Sequence, residues 1–136
     1  VSQVAASNVV QRMHQFSVLE DSTVSLMFRV LGDDAQAITQ ATIASVTFAA
    51  FDLDATTPTS AVSTATLTVA DVVFDTYQTD DRWHADSVGY NFRHDIAASV
   101  FVTGGHTYQV EYKFTADGGE IFHILARVQA APIMTT

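Results

Sequence analysis

Gly105-His-Thr-Tyr-Gln-Val-Glu-Tyr-Lys-Phe114 decides the fold. From Tyr108 the residues alternate, with Tyr108, Val110, Tyr112 and Phe114 on one side and Gln109, Glu111 and Lys113 on the other. Successive side chains of a strand point to opposite faces. The spacing therefore predicts a strand with one aromatic face and one wet face, and the aromatic face needs a second layer to cover it. Asp117-Gly118-Gly119 carries hairpin chemistry. Ile121 to Val128 then returns antiparallel with Phe122, Ile124, Ala126 and Val128 on one face.

The same pattern recurs upstream. Phe16 to Leu19 begins it, and Glu20-Asp21-Ser22 is a turn. Val24 to Leu31 alternates with apolar residues on both faces, which predicts a central strand, and Gly32-Asp33-Asp34 follows as a turn. Ile43 to Leu53 is a strand with Val46 and Phe48 facing one way and Ala50 behind them. Pro58 marks a loop from Thr56 to Ser60. Ala65 to Val69 is a short strand, and Asp71 to Tyr77 reads equally as strand or as one helical turn. Asp86-Ser87-Val88-Gly89 is a turn before the alternating run Tyr90 to Ile96. Short strands at this spacing, divided by turn signals and free of helical heptads, predict an all-β sandwich.

The totals narrow the function. A chain of 136 residues suits one domain with a real core. Hydrophobic residues make up 48% and charged residues 15%, which excludes a disordered acidic tail. The formal net charge is −9 with six Lys plus Arg, so the basic footprint of a nucleic-acid binder is missing. Anionic membrane surfaces are disfavoured for the same reason. With no cysteine there is no disulfide framework and no thiolate zinc site, which suits the cytosol. The N-terminus shows neither the basic region nor the apolar core of a signal peptide, and the leading Val is what removal of an initiator Met leaves.

The titratable groups offer several candidate constellations. His84 and Asp86, two apart, share a strand face, whereas His94 and Asp95 face opposite ways. His106 and His123 belong to the final hairpin and can approach across it. Zinc needs three or four ligands, and no His-Glu-x-x-His spacing occurs. The pairs Asp33-Asp34, Asp52 with Asp54, and Asp80-Asp81 lack the full calcium loop, and turn chemistry accounts for them. There is no nucleophile elbow, phosphate loop or dinucleotide fingerprint, so the chain reads as a non-enzyme without a cofactor. Trp83, the single Trp, is expected to be a core plug.

Gly104-Gly105-His106-Thr107-Tyr108-Gln109-Val110 resembles the tyrosine corner of immunoglobulin-like domains. There a Tyr opens a late strand two residues before an inward core position and its hydroxyl bonds back to the backbone. Val110 would stand where antibody domains have Cys. From Val24 to Val128 the chain looks like the immunoglobulin-like modules of tailed-phage virion proteins, the type at the N-terminus of baseplate upper proteins. The resemblance rests on Val24 to Leu31 with Gly32-Asp33-Asp34, on Ala44-Ser-Val-Thr-Phe48, on Gly89-Tyr90-Asn91-Phe92 running to Asp95-Ile96, and on Tyr108 to Phe114 with its hairpin. The stretch from Arg82-Trp83 to Phe92 is similar to small proteins of phage-like structural gene clusters.

The resemblance implies an all-β, immunoglobulin-like antiparallel β-sandwich over residues 16–130, with an extended N-terminal arm over 1–15 and a C-terminal tail over 131–136. It lacks the long helical region of a baseplate protein, which favours a small capsid decoration or cement protein in the virion, assembled in the host cytoplasm. The implied partners are the major capsid protein or other virion structural subunits, with many copies on a shell. Expected contact residues are Val9, Val10, Met13 and Phe16 of the arm region, and Asp80, Asp81 and Arg82 of the acidic loop; the tail from Pro132 to Thr136 is a further contact segment. Val9, Val10 and Met13 also fit one helical face. Two alternatives stay open: a tail, neck or baseplate accessory module, and a carbohydrate-binding sandwich using Tyr77, Trp83 or Tyr90.

Overall fold

Tyr108 to Phe114 lies inside a ten-residue strand that is flanked by partners on both sides. The computed structural model describes residues 13–32 and 34–134. In chain order the elements are β1 (Met13–Leu19), β2 (Val24–Phe28), β3 (Ile43–Asp52), β4 (Ala61–Leu67), α1 (Val69–Val72), β5 (Val73–Gln78), β6 (Tyr90–Ile96), β7 (Thr107–Ala116) and β8 (Ile121–Ala131). One sheet runs β1-β8-β7-β3-β4 and the other β2-β6-β5. The third, seventh and eighth strands thus share a sheet, with the fourth beside the third, while the second, sixth and fifth form the other. This is the immunoglobulin arrangement. β1 departs from an all-antiparallel pattern, because it lies parallel to β8, from Met13 opposite Leu125 to Leu19 opposite Ala131.

The two layers meet through rings. Phe28 of β2 and Phe92 of β6 project from the smaller sheet, while Tyr112 and Phe114 of β7 and Phe48 of β3 project from the larger. Tyr112 lies with its ring centroid 5.0 Å from that of Phe92, 5.7 Å from Phe48 and 6.0 Å from Phe28. Phe92 also meets Phe114 at 5.3 Å. Favourable aromatic pairs add about 0.5–1.5 kcal/mol each beyond burial, whereas a disulfide adds about 2–4 kcal/mol. Three cross-layer ring pairs therefore stand in for an inter-sheet disulfide. Val110, fully buried, fills the position that Cys would take.

Tyr108 makes the corner its context implies. Its ring is buried against Phe101 and its hydroxyl accepts from the Thr103 amide at 3.0 Å. Nearby, Glu20 accepts from the Gly104 and Ile133 amides, both at 2.8 Å, and so joins the turn after β1, the loop before β7 and the chain beyond β8. Asp52, buried at the end of β3, holds His106 Nδ1 at 2.8 Å and the Asp54 amide at 3.0 Å.

Several expectations are corrected. The run Val24 to Leu31 is not a central strand: β2 stops at Phe28 and forms an edge. Its continuation is taken up by Asn91, whose buried side chain accepts from the Val30 amide at 2.7 Å and donates to the Val30 carbonyl at 3.0 Å. A side-chain amide replaces a backbone ladder there, so the apolar alternation continues beyond the sheet. His106 and His123 lie at opposite ends of the hairpin, since His123 faces Lys113 while Thr107 faces Gln129. Asp71 to Tyr77 is both of its readings in sequence, with α1 ending at Val72 and β5 starting at Val73. β1 begins at Met13, so Met13, His14 and Gln15 belong to the sheet.

His94 reaches from β6 into the space between the layers. Its Nδ1 lies 2.8 Å from the Tyr112 hydroxyl, and its ring packs edge-on against Phe48 at 4.6 Å. Burial lowers its pKa, with the Asp95 charge opposing the shift only in part. Burial pushes the Tyr112 phenol well above its ordinary value, so it keeps its proton.

Two outcomes follow from these contacts. Tyr108→Phe should keep the fold and cost about 1 kcal/mol in urea unfolding, the net worth of one hydrogen bond; an unchanged midpoint would remove the corner from the list of stabilising contacts. For His94 the unfolded chain binds the proton first, so stability should be full above about pH 6.5 and fall as pH drops below it. His94→Phe should flatten that part of a urea-midpoint profile between pH 8 and 5, and a parallel slope in both proteins would disprove the assignment.

Candidate functional site

The segment joining β5 to β6, residues 79–89, folds back over the outer face of the smaller sheet. Two aspartates shape it. Asp80 accepts from the Arg82 amide at 2.8 Å, from Arg82 Nη2 at 3.0 Å and from the Tyr90 hydroxyl at 2.9 Å. These bonds hold its carboxyl at about 2, below the usual carboxylate range, with the Arg82 side chain the largest cause. Asp86 accepts from the Arg29 guanidinium, from the Val88 and Gly89 amides at 2.9 and 3.1 Å, and from Trp83 Nε1 at 3.2 Å. The Arg29 bond chiefly, with the Gly89 amide next, lowers the Asp86 carboxyl far below its ordinary value. Both acids therefore stay charged across the physiological range. Gly89 completes the return with φ +115°; a Cβ there would come 2.3 Å from the Gln78 carbonyl oxygen.

Trp83 is consequently half-buried rather than a core plug. Its ring leans on Tyr90 at 5.6 Å. A sequence of Asp-Ser-Val-Gly predicts the turn, but not that its first residue would clasp an indole three positions earlier. Tyr90, only 3% exposed, is closed off as a platform for sugar stacking. Tyr77 sits under the Arg29 guanidinium, 5.8 Å from its ring centre. His84 and Asp86 lie on this segment and not on a strand.

Between this segment and β1 runs a groove of about 580 Å³. Its inner wall is Phe16 and Phe28, whose rings meet edge-on at 5.8 Å across the layers, with His14 on Phe28 at 4.7 Å. Its outer wall is Ser25, Met27 and Arg29 of the smaller sheet, with Arg82, Trp83 and His84 above them. Arg82 is tied across the wall by a bond from Nη1 to the Ser25 hydroxyl at 3.2 Å. Among the described residues both flanking strands are sheet edges, β1 of the larger sheet and β2 of the smaller.

The groove brings together two residues expected to make contacts, Phe16 and Arg82, from stretches 66 positions apart in the chain (82 − 16). Asp80 accepts from the Arg82 side chain and Asp81, next in the chain, is exposed. Met13, 45% exposed, starts β1 near the groove but points to the opposite face from His14 and Phe16. Val9 and Val10 lie outside the described residues. The tail is tied down at Ile133 by Glu20, and Met134 is 91% exposed. Met27, Arg29 and Ser25 were missed as site residues; an edge strand shows its outer face only once the strand order is known.

Among the described residues, no group of three or more His, Asp or Glu side chains gathers to hold a metal ion. A smaller pocket of about 220 Å³ lies at one end of the sandwich between Ile38, Thr42 and Phe122. Comparison with protein families, with curated proteins and with solved structures finds no match.

Asp86→Ala should release the clasp. Trp83 emission should shift to the red and its quenching by acrylamide should at least double, while far-ultraviolet circular dichroism stays unchanged. Unchanged quenching would show that the segment is held by something other than Asp86.

Proposed function

We propose that this chain is a structural protein of a tailed-phage virion, a capsid decoration or cement protein that acts by adhesion. The sequence resemblance supports the virion setting. The observation that carries the adhesive reading is the groove itself, where Phe16 and Arg82 flank two sheet edges beside an aromatic wall. Exposed edges invite main-chain pairing from another protein. Many identical copies on a shell would gain strength by repetition rather than through one tight contact. The major capsid protein is the natural partner in that setting, with no role for nucleic acid or membrane.

The tail, neck or baseplate reading is separated by location. Gold-labelled protein should decorate purified heads of the encoding phage in many copies, and label on the tail alone would decide for the alternative. Removing residues 1–12 should lower head occupancy several-fold; equal occupancy would take the arm out of the contact.

A further inference from the structure

We propose that the groove beside β2 receives an extended segment of a partner protein, added as a strand to the β2 edge, with acidic side chains on its outer face and apolar ones on its inner face. The inference rests on the adhesive reading but not on the shell as the partner.

The shape comes first. Among the described residues β2 is bonded to β6 on one side only, so its other side is an edge. An added strand continues the two faces of the sheet it joins, because its side chains alternate. On the inner face it would extend the row of Leu26 and Phe28 and meet Phe16 and His14 of β1. On the outer face it would extend the row of Ser25, Met27 and Arg29 and meet Arg82 and Trp83. One face of the guest is therefore required to be apolar and the other polar.

The spare N–H donors decide the chemistry. The chain carries 15 Asp plus Glu against six Lys plus Arg, yet the residues lining the groove include two arginines, two histidines and no carboxylate. Asp80 and Asp86 pair with the guanidinium groups and fix their positions, and Asp95 accepts from the Ser25 hydroxyl at 2.6 Å. A guanidinium offers five N–H donors. Arg82 directs one to Asp80 and one to Ser25, and Arg29 one to Asp86, so both keep donors for a guest carboxylate. Arg forks suit carboxylates in two-point geometry. Residues 1–12 of this chain contain no Asp or Glu, so they do not match the outer face.

The test uses the full chain with two short acetylated peptides, one alternating valine with glutamate and one alternating valine with lysine. Binding is read by Trp83 fluorescence, and β2 pairing by the hydrogen exchange of the amides in Val24–Phe28. The glutamate peptide should bind roughly tenfold more tightly than the lysine peptide, the factor one charge-assisted hydrogen bond supplies, and should slow exchange in β2. Arg82→Glu should abolish the preference, while Arg127→Glu, on the outer face of the larger sheet, should leave it intact. Equal binding of both peptides, no binding at millimolar concentration, or binding without β2 protection would each overturn the proposal. So would a glutamate peptide that binds only after residues 1–12 are removed, since the chain would then fill its own groove. A retained peptide preference without head decoration would count against the capsid reading alone, and head decoration unaffected by Arg82→Glu against the groove alone.

Discussion

The contact of Tyr112 with rings from both layers is the constraint on which the rest depends. Tyr112 is fully buried and meets Phe48 in its own sheet and Phe28 and Phe92 in the other, with its hydroxyl at His94. Without a disulfide, the spacing and rotation of the layers rest on interlocked rings of fixed shape. Rings are intolerant of gaps, since each buries a large area and prefers edge-on or offset neighbours. Phe28 is the shared member, because it belongs to that cluster and also forms part of the groove wall with Phe16. Rigidity in the centre is thereby passed directly to the candidate contact surface.

The polar groups inside the sandwich follow the same economy. Among the described residues no buried side-chain nitrogen or oxygen lacks a partner. Asn91 completes the ladder that β2 abandons, Asp52 meets His106, and Tyr108 returns to Thr103. Each bond ties a loop to a strand. Loops that would otherwise be loose thus take their positions from the sheets.

Most of the fold was legible wherever one face of a strand is apolar and the other wet. β7, β8 and β3 are such strands, and their inward residues were readable from alternation alone. β2 was misread as central because apolar residues on both faces usually mean two covered faces. Here the outer cover is the segment 79–89, which has no alternation of its own. The tyrosine corner was legible because its glycines, Tyr and inward Val occupy adjacent positions. The groove was legible only in fragments. Phe16 and Arg82 could be named as contacts, but nothing local to either places them together. That depends on β1 crossing to the larger sheet and on Asp86 drawing Trp83 back over β2, both long-range events.

The parallel pairing of β1 with β8 separates the two routes by which chain leaves the sandwich. Met13 stands level with Leu125, at the His14 end, whereas Ala131 stands level with Leu19, beside the Glu20 tie. A passenger attached beyond Met134 would emerge at the pole remote from His14 and leave the mouth between β1 and β2 unobstructed. Met13, by contrast, lies one residue from His14 of the groove wall.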